Sequence, residues 1–137
     1  MTQKPHYYID GEAFSTLEEF AKHFSSRVLG GQYEWNGNLD AFNDILRGGF
    51  GTPADGFVLV WLNSALSRQR LGYEETVRQL EKRLLKCDPA SRQSVAAEID
   101  SARQRIGPTL YGWLVEIIRD HGAYGKQHED GVQLELH

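Results

Sequence analysis

The segment Glu34-Trp35-Asn36-Gly37-Asn38-Leu39-Asp40-Ala41-Phe42-Asn43-Asp44 carries three carboxylates and meets no base until Arg47. Asp40 and Asp44 are four positions apart, so on a helix they share one face. Two readings of such a face stand side by side: a solvated polar surface, or a negative surface offered to a basic partner. Like charges at this spacing destabilise a helix by about 0.2–0.5 kcal/mol. Asp40 has a structural reason for its place, because an acid in the first turn complements the helix dipole. Asp44 has much less of one, since aspartate is a poor helix former beyond the N-terminus.

Other residue types give less. The histidines are His6, His23, His121, His128 and His137, and no pair has the helical spacing of a zinc site. A surface role is the expectation for them. Cys87 is the single cysteine, which excludes an internal disulfide and predicts a half-buried thiol. Gly48-Gly49-Phe50-Gly51 has no Gly-Lys-Ser/Thr after it and is no phosphate loop, and no Gly-x-Ser-x-Gly elbow occurs. No catalytic residue, metal or cofactor is therefore assigned, and the expectation is a protein that is not an enzyme.

Charge is unevenly spread. Arg68 to Arg105 holds nine basic and six acidic residues, a net of +3; the rest holds six and thirteen, a net of −7. The acidic majority argues against direct nucleic-acid binding, which needs a basic surface, and suits a basic partner. A chain of 137 residues with 40% hydrophobic and 11% aromatic content can bury one core and is too apolar for disorder. No apolar run is long enough for a membrane, and no charged-then-apolar leader precedes His6, so a cytoplasmic protein with no membrane partner is expected.

Elements must hold these groups in place. His6 to Ile9 reads as a short strand, and Ser15 with Glu18 three positions on reads as a capping box. Leu17, Phe20, Ala21, Phe24 and Val28 then form an apolar face at helical spacing, closed by Gly30-Gly31. Asn38 is a good N-cap for a short helix over 39–47. Phe57 to Leu62 is a continuous apolar run, the pattern of a strand buried on both faces. A short helix over 64–70 follows, then helices over 73–86 and 90–106, punctuated by Asp88-Pro89, which read as an αα-hairpin. A helix over 110–121, a loop over 122–130 and an alternating edge strand over 132–136 complete the chain. Strands separated by helices predict an α/β fold: a three-stranded parallel sheet covered by helices, one domain over residues 1–137 with the hairpin 73–106 inserted in it.

The block Gly37-Asn38-Leu39-Asp40-Ala41-Phe42-Asn43-Asp44-Ile45-Leu46 resembles the barstar family of ribonuclease inhibitors. Ile9-Asp10-Gly11, Phe57 to Trp61, Ile117 to Asp120 and Val132 to Glu135 carry the resemblance further, over residues 6–70 and 110–137. It implies a barstar-like fold and a stoichiometric inhibitor, an immunity protein or antitoxin, whose acidic helix and preceding loop plug a basic, barnase-type ribonuclease. Carried over by position, Asp40 and Asp44 are the helix carboxylates, and Asp44 is the one that reaches the cleft. Trp35 matches an aromatic loop position, and Asp120 an acid near the end of the last helix. Asn38 belongs to the same block. Asn43 stands where the best-known member has Trp, and Glu34 where it has Tyr, with Tyr33 beside it. These eight residues, Tyr33, Glu34, Trp35, Asn38, Asp40, Asn43, Asp44 and Asp120, form the expected partner surface. A barstar-fold interaction protein with another kind of partner is the rival reading, and the net-basic hairpin could make a second contact.

Overall fold

Aromatic and β-branched residues at the first strand and an unbroken apolar run at the second give the sheet its centre. In a computed structural model, which describes residues 4–53, 55–122 and 125–137, β1 spans His6–Asp10, β2 Val58–Leu62 and β3 Gln133–Leu136. The order is β1-β2-β3, parallel throughout, with His6 opposite Val58 and Val58 opposite Gln133. Val58 to Trp61 are all buried, as a central parallel strand requires. On β3, Val132 just before the strand is buried, Leu134 half-buried and Leu136 exposed, the grading of an edge. The loop expected at 122–130 falls partly on Ala123 and Tyr124, which lie outside the described residues, as does the start of the chain before Lys4.

Among the described residues there are six α-helices: α1 (Leu17–Arg27), α2 (Leu39–Leu46), α3 (Ser64–Arg70), α4 (Tyr73–Lys86), α5 (Arg92–Arg103) and α6 (Leu110–Asp120), with α4 and α5 packed on α6 rather than on the sheet. Phe20 and Phe24 of α1, Phe42 and Ile45 of α2, Leu59 and Trp61 of β2, and Leu114 and Ile118 of α6 share one core. The cap of α1 is Thr16, one residue later than expected. Thr16 Oγ1 accepts from Glu19 N–H at 3.1 Å, and Glu19 Oε1 accepts from Ser15 N–H at 2.8 Å. Thr16-Leu17-Glu18-Glu19 carries the same Ser/Thr-x-x-Glu pattern as the register that starts at Ser15, so the pattern alone could not separate them.

α4 and α5 pair as the expected hairpin, with Leu80, Val95, Ile99 and Ala102 as its seam. The hairpin is less independent than its own seam suggests. Glu75, buried, accepts from Leu17 N–H at 2.8 Å, and Thr76 Oγ1 accepts from Leu110 N–H at 2.7 Å. Adjacent residues of α4 thus satisfy the first amides of both α1 and α6, groups that no helix satisfies within itself. Trp113 of α6 also packs against both the main core and the hairpin seam. Outside the core, Glu18 binds Arg78, Gln79 (2.6 Å) and Lys82 (3.3 Å), tying α1 to α4 a second time.

Candidate functional site

Local sequence builds the acidic helix. Gly37 sits at φ +96°, a conformation that favours glycine, and turns the chain into Asn38. Asn38 Oδ1 accepts from Asp40 N–H (2.9 Å) and Ala41 N–H (3.2 Å), capping α2. Phe42, Ile45 and Leu46 face inward, which leaves Asp40 and Asp44 exposed on the outer side. Beyond α2, Gly51 at φ +129° lies against the carbonyl of Leu29, where a Cβ would collide with backbone. That contact holds the following loop to the end of α1.

The expected partner residues do not all face outward. Tyr33 is exposed with its ring edge-on to Phe50, and Glu34 is exposed beside it. Trp35 corrects the expectation. It is 3% exposed, stacks on Phe42 with ring centroids 4.5 Å apart, and donates from Nε1 to the Asn38 carbonyl at 2.8 Å. Two phenylalanines of α1, Phe20 and Phe24, also meet it edge-on, so its large apolar ring completes the core under α2. Asn38 is exposed, with its side-chain oxygen engaged as the cap. Asp44 is exposed and pairs with Arg47 at 2.8 Å, and Arg47 Nε donates to Gln127 Oε1 at 2.8 Å. A partner's cation must share Asp44 with Arg47 or take it away.

Asn43 turns inward. Its side-chain amide meets Nε2 of His121 at 3.0 Å, and His121 Nδ1 meets Asp130 Oδ2 at 2.6 Å. His121 is completely buried, against the surface role expected for the histidines. It joins α2, the end of α6 and the segment before β3, and its backbone carbonyl accepts from Val132 N–H at 2.9 Å. Asn43 lies 78 positions from His121, and Asp130 follows His121 across a loop, so no periodicity marks the three as a group. His23 is half-buried too, its Nε2 accepting from Asp10 N–H at 3.0 Å. Burial, and then the charge of Arg27, hold its imidazole below the ordinary value, with the Asp10 carboxylate opposing them.

Asp120 reaches the same end of the molecule. Its Oδ1 accepts from Lys126 N–H at 3.2 Å, and it lines a groove of about 270 Å³ between α2 and α6. Leu39, Asn43, Trp113, Glu116 and Ile117 also line that groove. Glu116 was not singled out from sequence, although it lies one helical turn before Asp120 and so shares its face. The site thus combines exposed carboxylates on α2 and the loop before it with a small groove of mixed polar and apolar lining between α2 and α6. Glu34, Asp40, Asp44 and Glu116 are exposed, Asp120 is half-buried, and Lys126 lines the groove with Glu116 and Asp120. Among the described residues no three His, Cys, Asp or Glu side chains gather as a ligand set for a metal. Such a surface can bind cationic side chains and attract a basic protein from a distance.

A family model described as Barstar (barnase inhibitor) matches residues 5–98. The match runs from β1 through α4 into α5 and stops before α6 and β3. No curated protein and no solved structure matches the chain.

Proposed function

The chain belongs to the barstar family, and from that premise we propose that it is a stoichiometric protein inhibitor of a basic, barnase-type ribonuclease. One observation carries the reading: the carboxylates of Asp40 and Asp44 stand exposed on one side of α2, with Glu34 in the loop before it. Carboxylates seated in a basic cleft occupy the places of the RNA phosphates, and the cleft is closed without chemistry on the inhibitor's side. No catalysis of its own belongs to this proposal, which includes an antitoxin role in the cytoplasm. Among the described residues no helix is long and apolar enough to cross a membrane.

The test titrates the protein into a barnase-type ribonuclease and follows RNA cleavage. The expected result is loss of activity at one-to-one stoichiometry. Cleavage left intact by a folded protein in excess would favour the second reading, an interaction module of the same fold whose partner is not a ribonuclease. That reading draws on Trp35 and Asn43, which are turned into the protein and narrow the expected contact surface.

A further inference from the structure

Near the N-terminal end of α6, away from the acidic face, three arginines converge on one concavity. Arg68 and Arg70 at the end of α3 and Arg105 after α5 line a groove of about 910 Å³, together with Tyr73, Thr109 and Tyr111. Glu74 also lines it, so the charged groups there sum to +2. Arg70 is held in place by the carbonyls of Gly11 (3.2 Å), Glu12 (3.1 Å) and Phe14 (3.4 Å), which accept from its Nη1. The guanidinium groups of Arg68 and Arg105 have no hydrogen-bond or ion-pair partner among the described residues.

Arg105 occupies an unusual place. Its N–H donates to the Ala102 carbonyl (3.0 Å), and Ile106 N–H donates to the Ser101 carbonyl (2.9 Å), the bonding of a Schellman cap at the end of α5. The residue at its position takes a left-handed conformation, and Arg105 has φ +59°. Glycine is the residue that adopts this without steric cost, yet an arginine stands here. Across the groove, Gly72 precedes α4 and supplies no side-chain cap, so the first amides of that helix open beside the guanidinium groups.

We propose that this groove binds an organic phosphomonoester, a ligand of the mononucleotide class. Guanidinium forks match phosphate oxygens in pairs, and the helix amides add donors of the same sign. The groove has the volume of a small-molecule site, and its two tyrosine rings supply walls for an aromatic body. The proposal concerns a different surface from the acidic face and does not depend on the ribonuclease reading.

The experiment titrates the full chain with adenosine monophosphate, adenosine and inorganic phosphate at fixed ionic strength, by calorimetry and by backbone amide shifts. Saturable binding of adenosine monophosphate is expected, with shifts at Tyr73 and Glu74. Inorganic phosphate and adenosine should each bind at least about tenfold more weakly. Arg105→Gly removes one guanidinium and relieves the left-handed arginine, so it should melt at the same or a higher temperature while losing about tenfold or more in nucleotide affinity. Arg68→Gln should weaken the nucleotide and leave ribonuclease binding unchanged. Binding without saturation, inorganic phosphate binding as tightly as the nucleotide, or Arg105→Gly binding as well as the parent would each overturn the assignment.

Discussion

Asp44 is held by Arg47 and exposed to solvent, an arrangement that contributes little to folding and leaves its carboxylate available to a stronger cation. Asp44→Ala is therefore expected to cost about 2–5 kcal/mol of binding to the ribonuclease, the usual loss for one partner of a buried interfacial charge pair. Its melting temperature should hardly move, and normal dissociation kinetics would remove Asp44 from the contact. His121 predicts the reverse pattern. With no exposure and partners on both ring nitrogens, its replacement by Ala leaves Asn43 and Asp130 without their bonds. At about 1–3 kcal/mol for each buried group left unpaired, urea midpoints should fall clearly. Coupling to Asn43→Ala in a double-mutant cycle should be non-additive, and additive losses would mean the bond contributes nothing. Acid titration separates two further groups. His23 has a lowered folded value because of its burial, so the unfolded chain takes up the proton first and stability falls as pH drops below about 6.5. Glu18, whose burial alone would raise it, is brought from 4.5 to about 2 by hydrogen bonds from Arg78, Gln79 and Lys82. Its contribution is present above 4.5 and is lost as pH falls from there toward 2. Denaturant melts of His23→Gln should lack the first loss and keep the second; a variant that keeps both would exonerate the imidazole.

Elements differ in how much of them the sequence discloses. The existence of α2, its Asn38 cap and its exposed Asp40 and Asp44 were legible because they are local, while Asn43, expected on the partner surface, turns inward. β2 was legible from its unbroken apolar run. The support beneath α2 was not: Asn43 and His121 are 78 positions apart, and a polar pair at that separation leaves no periodicity to detect. Trp35 was misplaced for a related reason, since an aromatic residue in an acidic loop suits a contact surface as well as a core. The hairpin shows the limit most clearly. Its two helices and seam were readable from periodicity, while the capping of α1 and α6 by Glu75 and Thr76 arises where three elements meet. The hairpin's outer part is expected to be dispensable for ribonuclease binding, while its inner turns carry the caps of α1 and α6. Replacing the outer part of the hairpin, residues 83–98, with a short Gly-Ser linker keeps Glu75 and Thr76. The shortened protein should bind the ribonuclease within about twofold of the parent, because α6 spans roughly 15 Å between the hairpin's anchor at Leu110 and Asp120. A stable shortened protein without affinity would place the hairpin in the recognition surface.

At the scale of the whole molecule, charge is divided between two ends of α6. Asp120 stands at one, with Asp44 tied to that side through Arg47 and Gln127, and Arg68, Arg70 and Arg105 stand at the other. Association with a basic ribonuclease should slow steeply as salt rises, since steering depends on fields that ions screen over about 8–10 Å. Stopped-flow rates that stay level across the salt range would exclude steering and weaken the ribonuclease reading. The sheet carries a kinetic consequence of its own. His6 pairs with Val58, 52 positions on, and Val58 with Gln133, 75 positions on. Each pairing closes a long loop before any strand contact repays the lost chain entropy. The antiparallel partners α4 and α5 are neighbours in the chain and meet with little such cost. Helix pairing in the hairpin is therefore expected early and strand pairing late, which pulse-labelled amide exchange during refolding would show as protection of α4 and α5 ahead of β1 and β3.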